Sequence, residues 1–116
     1  MSPDDWNSFI THFNAGRYVE CVIPLEHLWF AGRDDFYKGL IRVCVGLNQL
    51  RLGLITSPRF LLQTAHELLT PYTPHHHGLD IIALQAFIAA CLSHIPADLE
   101  TGQGRVDTTL LPTYSL

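Results

Sequence analysis

The sequence predicts an all-α fold: a single-domain bundle of about five helices over residues 1–96, with an irregular C-terminal tail, 97–116, docked on the bundle or extending from it. Three observations predict it. From Asp34 to Leu52 the chain is apolar on almost every side, with only Asp34, Lys38, Arg42 and Gln49 on a narrow polar stripe, so a helix there must be buried nearly all round. Before it, Trp6, Phe9, Ile10 and Phe13 recur at i, i+3, i+4 and i+7, the single apolar stripe of a helix lying on a core. After it, Leu79 to Ile95 is apolar apart from Asp80, Gln85, Ser93 and His94. A chain of 116 residues holds one domain, which buries roughly two-thirds of its unfolded surface and needs no staples to fold.

The first helix is signalled by Ser2 as N-cap, Pro3 at the first helical position, and Asp4 and Asp5 against the positive end of the dipole. Asn14-Ala15-Gly16 ends it. Arg17 to Phe30 reads as the second helix, with Tyr18, Val22, Leu25 and Trp29 on one side and Cys21 and Leu28 beside them. Pro24 interrupts it, because proline in a helix interior removes a donor and crowds the carbonyl of Glu20, at about 3 kcal/mol. The expectation is a kink near residues 20–24 or a restart at Pro24. Gly32 closes this segment, and the short connection before Asp34 makes the second and third helices an antiparallel hairpin.

In the central third helix, Gly39 and Gly46 leave a notch for a close backbone approach, at a helix cost of about 1 kcal/mol per glycine. The small-residue side of the fifth helix, Ala83, Ala86 and Ala90, is the expected partner. Gly53 terminates the third helix and Ser57-Pro58 starts the fourth, with Leu61, Ala65, Leu68 and Leu69 as its core face and Arg59, Gln63, His66 and Glu67 in solvent. Pro71 stops it. Residues 71–78, with two prolines and the consecutive His75, His76 and His77, read as a solvated turn. The fifth helix, Leu79 to Ile95, is short for a membrane span and contains Asp80 and Gln85, so it is expected to pack in the core. In the tail, Val106, Leu110, Leu111 and Tyr114 offer apolar groups for docking on the body.

Seven Lys plus Arg against eleven Asp plus Glu give a net charge of -4, which argues against nucleic acid, whose binding draws on clustered positive charge. Cys21, Cys44 and Cys91 are odd in number, widely spaced and set in apolar runs, so they read as free buried thiols of a reducing compartment. The N-terminal Met-Ser-Pro-Asp-Asp is acidic where an export signal is basic and then apolar, and a cytoplasmic protein is expected. Three neighbouring imidazoles of one loop cannot readily converge on a single ion with supporting hydrogen bonds, so no metal and no cofactor are assigned.

The run Phe13-Asn14-x-Gly16-x-Tyr18-x-Glu20, then Leu25-Glu26-x-Leu28-Trp29, then Phe36-x-x-Gly39-Leu40-Ile41 resembles the small all-helical proteins known as domain of unknown function 309, over about residues 9–95. The resemblance implies a compact helical bundle and no established activity. Members of that family usually carry His-Glu where this chain has Val22-Ile23, an acidic residue at His27 and Gln at Arg42. A His-Glu-x-x-Glu set on one helix is a possible metal or acid–base constellation, and here its first members are gone. Glu20, Glu26, His27, Trp29, Phe36, Gly39 and Arg42 are the signature or pocket positions that the sequence singles out.

No Gly-rich phosphate loop, placed Ser-His-Asp or Cys-His set, metal-ligand spacing or basic patch occurs in the sequence. The expected role is therefore a non-catalytic protein-interaction module working as a homodimer through the 79–95 helix, whose apolar surface exceeds what one bundle covers. An enzyme or small-ligand-binding protein is the alternative, with a polar pocket between the second and third helices made of Glu20, Glu26, His27 and Arg42. A tetratricopeptide-like adaptor is the third reading, suggested by Asn14-x-Gly16-x-Tyr18, although the repeat of about 34 residues would next fall at Leu50, inside a helix.

Overall fold

The computed structural model describes residues 3–95 and 111–116. Five helices account for most of them: α1 (Pro3–Asn14), α2 (Val22–Gly32), α3 (Asp35–Arg51), α4 (Thr56–Leu69) and α5 (Ile81–Ser93). Each helix packs on the next in chain order, and the α3–α4 pair is the most extensive contact. The all-α class is as expected. Small additions are 3₁₀ turns at Val19–Cys21 and Thr70–Tyr72, and a hairpin of β1 (His75–His76) and β2 (Leu79–Asp80) paired antiparallel, His75 opposite Asp80 and His76 opposite Leu79. No helix among the described residues is long and apolar enough to cross a membrane.

The core is the meeting of stripes that the periodicity sets. Phe9 and Phe13 of α1, Leu25 and Leu28 of α2, Phe36, Leu40, Val43, Cys44, Leu47 and Leu50 of α3, and Ile81, Leu84 and Ile88 of α5 are all buried. Gly16, at φ 75°, and Gly53, at φ 88°, turn the chain after α1 and α3 as expected. At the end of α2 the left-handed residue is Arg33, at φ 55°, one position beyond Gly32. Its guanidinium lies 4.8 Å from the Trp29 ring centre and 5.4 Å from that of Phe30. That cation–π contact offsets part of the cost of a left-handed non-glycine residue.

The second helix begins at Val22, two residues before Pro24, rather than restarting at Pro24 itself. The chain passes through the 3₁₀ turn and begins α2 at Val22, which puts Pro24 at the third helical position, where a backbone N–H has no intrahelical acceptor to lose. Tyr18, Cys21, Leu25 and Leu28 form the buried stripe, while Val22 and Trp29 sit at its edge. Pro58 repeats the arrangement as the third residue of α4. Ser57 is consequently inside the helix rather than its cap; Ile55 occupies the cap position without a side-chain bond. The buried face of α4 is Pro58, Leu62, Ala65 and Leu69, with Leu61 and Leu68 half-exposed, a rotation from the expected face by about one residue.

The glycine notch faces α4, not α5. A Cβ at Gly39 would lie 3.0 Å from Leu69 Cδ2, and one at Gly46 3.0 Å from Leu62 Cγ. The two leucines are seven residues apart, as are the two glycines, and the pairing runs in opposite order (39 with 69, 46 with 62), so α3 and α4 are antiparallel with matched heptads. Four residues between them, 52–55, lay α4 directly on α3, while Ala86 of α5 is exposed and Ala83 and Ala90 are only half-buried.

Asp80 and Gln85, read in the sequence as breaks in an apolar run, have specific work. Asp80 caps α5, its Oδ1 accepting from the Ala83 N–H at 2.9 Å. Gln85 is buried, and its Nε2 donates to the His66 carbonyl at 3.0 Å and to Thr70 Oγ1 at 2.9 Å, which ties α5 to the open carbonyl end of α4. Of the tail, Val106 and Leu110 lie outside the described residues; Leu111 and Tyr114 do pack against the core.

Candidate functional site

The residues singled out for a pocket lie on two different sides of the bundle. Glu20 is exposed in the 3₁₀ turn before α2, and Glu26 is half-buried on α2. His27 is exposed and its Nδ1 sits 3.2 Å from Asp5 Oδ1, linking α2 back to α1. No ion pair joins Glu26 to Lys38 or Arg42 among the described residues. Arg42 points away from α2, toward α4. It borders an open cleft of about 320 Å³ together with Asp35, Thr64, Glu67, Leu68 and Pro71, and its guanidinium is 5.9 Å from the Phe60 ring centre. Trp29 packs at the core edge against Phe30, ring centres 5.2 Å apart. Phe36 is buried, and Gly39 is the α4 contact already described. The structure therefore does not bring Glu20, Glu26, His27 and Arg42 together.

Phe36 instead anchors an aromatic cluster that the sequence reading missed. Trp6 of α1, Phe36 and Tyr37 of α3, Tyr72, and the imidazoles of His76 and His77 stand ring against ring. The His76 ring lies 4.5 Å from Phe36 and 4.9 Å from Tyr72, and His77 stacks on Tyr37 at 6.0 Å with planes 19° apart. The expectation of a solvated triple-histidine turn holds for His75 and His77, which are exposed, and is corrected for His76, which is half-buried against Phe36 and Tyr72. His77 and Gly78 are the two central residues of the hairpin turn, at φ 49° and 78°. Positive φ at both is what a tight hairpin with the natural strand twist demands, and it folds His76 and His77 back onto α1 and α3. The signal available was Gly78 immediately before an apolar start, with aromatic residues at Trp6, Phe36, Tyr37 and Tyr72 in need of neighbours.

Burial among these rings lowers the His76 pKa from its ordinary 6.5, and the neighbouring His77 lowers it further, against the pull of Asp34. No group of three His, Cys, Asp or Glu among the described residues is placed to hold a metal ion. The three cysteines are free and buried. Burial pushes the Cys91 thiol up to about 11 and raises Cys44 well above its usual range, so neither is a nucleophile near neutral pH.

A second feature is the outer face of α5. The helix carries no charged residue from Ile81 to Ser93, and Ile82, Ala86 and Ala89 are all exposed along one side. Its inner side, Ile81, Leu84, Ile88 and Cys91, is buried.

No curated protein and no solved structure matches the chain. Residues 6–57, from the first turns of α1 through α2 and α3 into the start of α4, match the model of the family described as Domain of unknown function (DUF309), and over that segment the chain resembles this family.

Proposed function

We propose that the protein is a non-catalytic helical interaction module that pairs with a second copy of itself through the outer face of α5. The observation that carries this reading is the uncharged helix just described, with Ile82 54 % exposed and Ala86 and Ala89 leaving room beside it. A two-fold axis would lay the same stripe of each copy on the other, and small residues let the two backbones approach closely. The dispersal of Glu20, Glu26, His27 and Arg42 over two sides of the bundle supports an interaction role over the pocket-based enzyme. Three free, buried cysteines support a reducing, cytoplasmic setting.

Sedimentation equilibrium of the full chain at tens of micromolar is the test. A dimer that Ala86→Glu converts to a folded monomer is expected. A wild-type monomer at that concentration, or a dimer indifferent to Ala86→Glu, overturns the reading.

A further inference from the structure

Residues 111–116 cross the bundle as an extended strap that reads like a bound peptide. From Pro112 on the side chains alternate, Pro112, Tyr114 and Leu116 half-buried and Thr113 and Ser115 exposed, the period of two of an extended segment, while Leu111 before them is half-buried as well. Tyr114 stacks on Phe87 of α5, ring centres 5.3 Å apart and planes 20° apart. At its end the Leu116 N–H donates to Asn14 Oδ1 at 2.6 Å, and Asn14 Nδ2 donates back to the Leu116 carbonyl at 3.5 Å, so one amide side chain grips both polar groups of a single residue. Main-chain bonds at one point with pockets for alternate side chains are how grooves recognise extended peptides.

The fit is incomplete. Between Leu111, Pro112 and Thr113 on one side and Tyr18, Leu47, Leu50, Arg51 and Cys91 on the other lies a cavity of about 90 Å³. Its rim is fixed: Arg51 donates to the Gly16 carbonyl and lies 4.5 Å from the Tyr18 ring centre. A larger apolar side chain at the place of Leu111 would fill this space and gain the contacts that an underfilled site forfeits.

We propose that the groove running from Asn14 past Tyr18 and Arg51 to Phe87 is a docking site for an extended segment of a partner protein, one with a bulky apolar residue three positions before a Tyr-x-aliphatic pair, and that residues 111–116 are its occupant in cis. The resident segment defines the chemistry of the visitor: aromatic on Phe87, aliphatic beside Asn14, and a residue larger than Leu over the cavity. A tethered occupant competes at an effective concentration of up to order millimolar, so a partner must carry the better-fitting side chain to displace it.

The test uses the full chain and fluorescein-labelled hexapeptides, one with the sequence of residues 111–116 and one with Phe in place of its first Leu. In the variant Tyr114→Ala/Leu116→Ala, whose own strap is weakened, the Phe peptide is expected to bind at least tenfold more tightly than to wild type and more tightly than the Leu peptide. Adding Asn14→Ala should abolish that binding. A second arm leaves the strap's contacts intact: Ser115→Cys, at an exposed position in a chain whose other cysteines are buried, carries an environment-sensitive dye that should shift as millimolar Phe peptide displaces the strap. Absence of binding to the weakened variant, binding unaffected by Asn14→Ala, or a dye that does not respond overturns the proposal.

Discussion

At Gly46 one missing side chain sets the distance between the two most extensively packed helices. A Cβ there would meet Leu62 Cγ at 3.0 Å and Leu61 Cβ at 3.3 Å, the branched base of one side chain and the stem of its neighbour. Neither can swing aside as a side-chain tip can. Gly46→Leu is therefore expected to destabilise the protein by about 1–3 kcal/mol, the usual cost of overpacking, read as a lower urea midpoint at unchanged slope. Gly39 meets the matching set, Leu69 Cδ2 at 3.0 Å, Leu69 Cγ at 3.1 Å and Leu68 Cβ at 3.4 Å, so Gly39→Leu should cost about as much, while Gly39→Ala should cost less, because it adds one carbon and helix propensity returns about 1 kcal/mol. That both glycines serve a close helix contact is legible in the sequence from their heptad spacing in an apolar helix. Which helix fills the notch is not, because Ala83, Ala86 and Ala90 suit such a contact as well as Leu62 and Leu69 do. Only the short connection between α3 and α4 decides it, by placing α4 first against the groove.

Helix boundaries follow local chemistry where that chemistry is unambiguous. Pro24 in α2 and Pro58 in α4 both stand third in their helices, because a proline is harmless in a first turn and costly in an interior. Asp80 illustrates the opposite failure. In sequence it is a charge inside an apolar run, and only the hairpin before it, with Asp80 paired to His75, shows that it stands at the helix entrance. Asp80→Ala removes the acceptor for the Ala83 N–H and should cost about 1 kcal/mol, whereas Asp80→Asn or Asp80→Ser should retain most of the stability. Thermal denaturation of the three variants side by side measures this, and an Ala variant equal to wild type would show that the cap contributes nothing.

Across the whole molecule, two contacts join parts far apart in the sequence: the strap that brings residue 116 to residue 14, and the aromatic–histidine cluster that joins α1, α3 and the hairpin. That Leu111 and Tyr114 dock on the body was legible from their apolar side chains; the path of the strap and the cluster were not, since periodicity describes the face of one helix at a time and says nothing of a short hairpin or a segment laid across several. The cluster makes the stability of the fold depend on pH, with a definite sign. The His76 pKa lies below 6.5 through burial and through His77, with Asp34 the opposing charge. The unfolded chain takes up that proton at the ordinary value, so below about 6.5 it binds more protons than the native state, and stability falls as pH falls until the folded value is passed. The contribution is fully present above 6.5 and lost on acidification. His76→Phe keeps a ring against Phe36 and Tyr72 but cannot titrate. Urea midpoints measured from pH 7.5 to 5 should decline more steeply for wild type than for His76→Phe, and parallel profiles would mean that other groups govern the acid response.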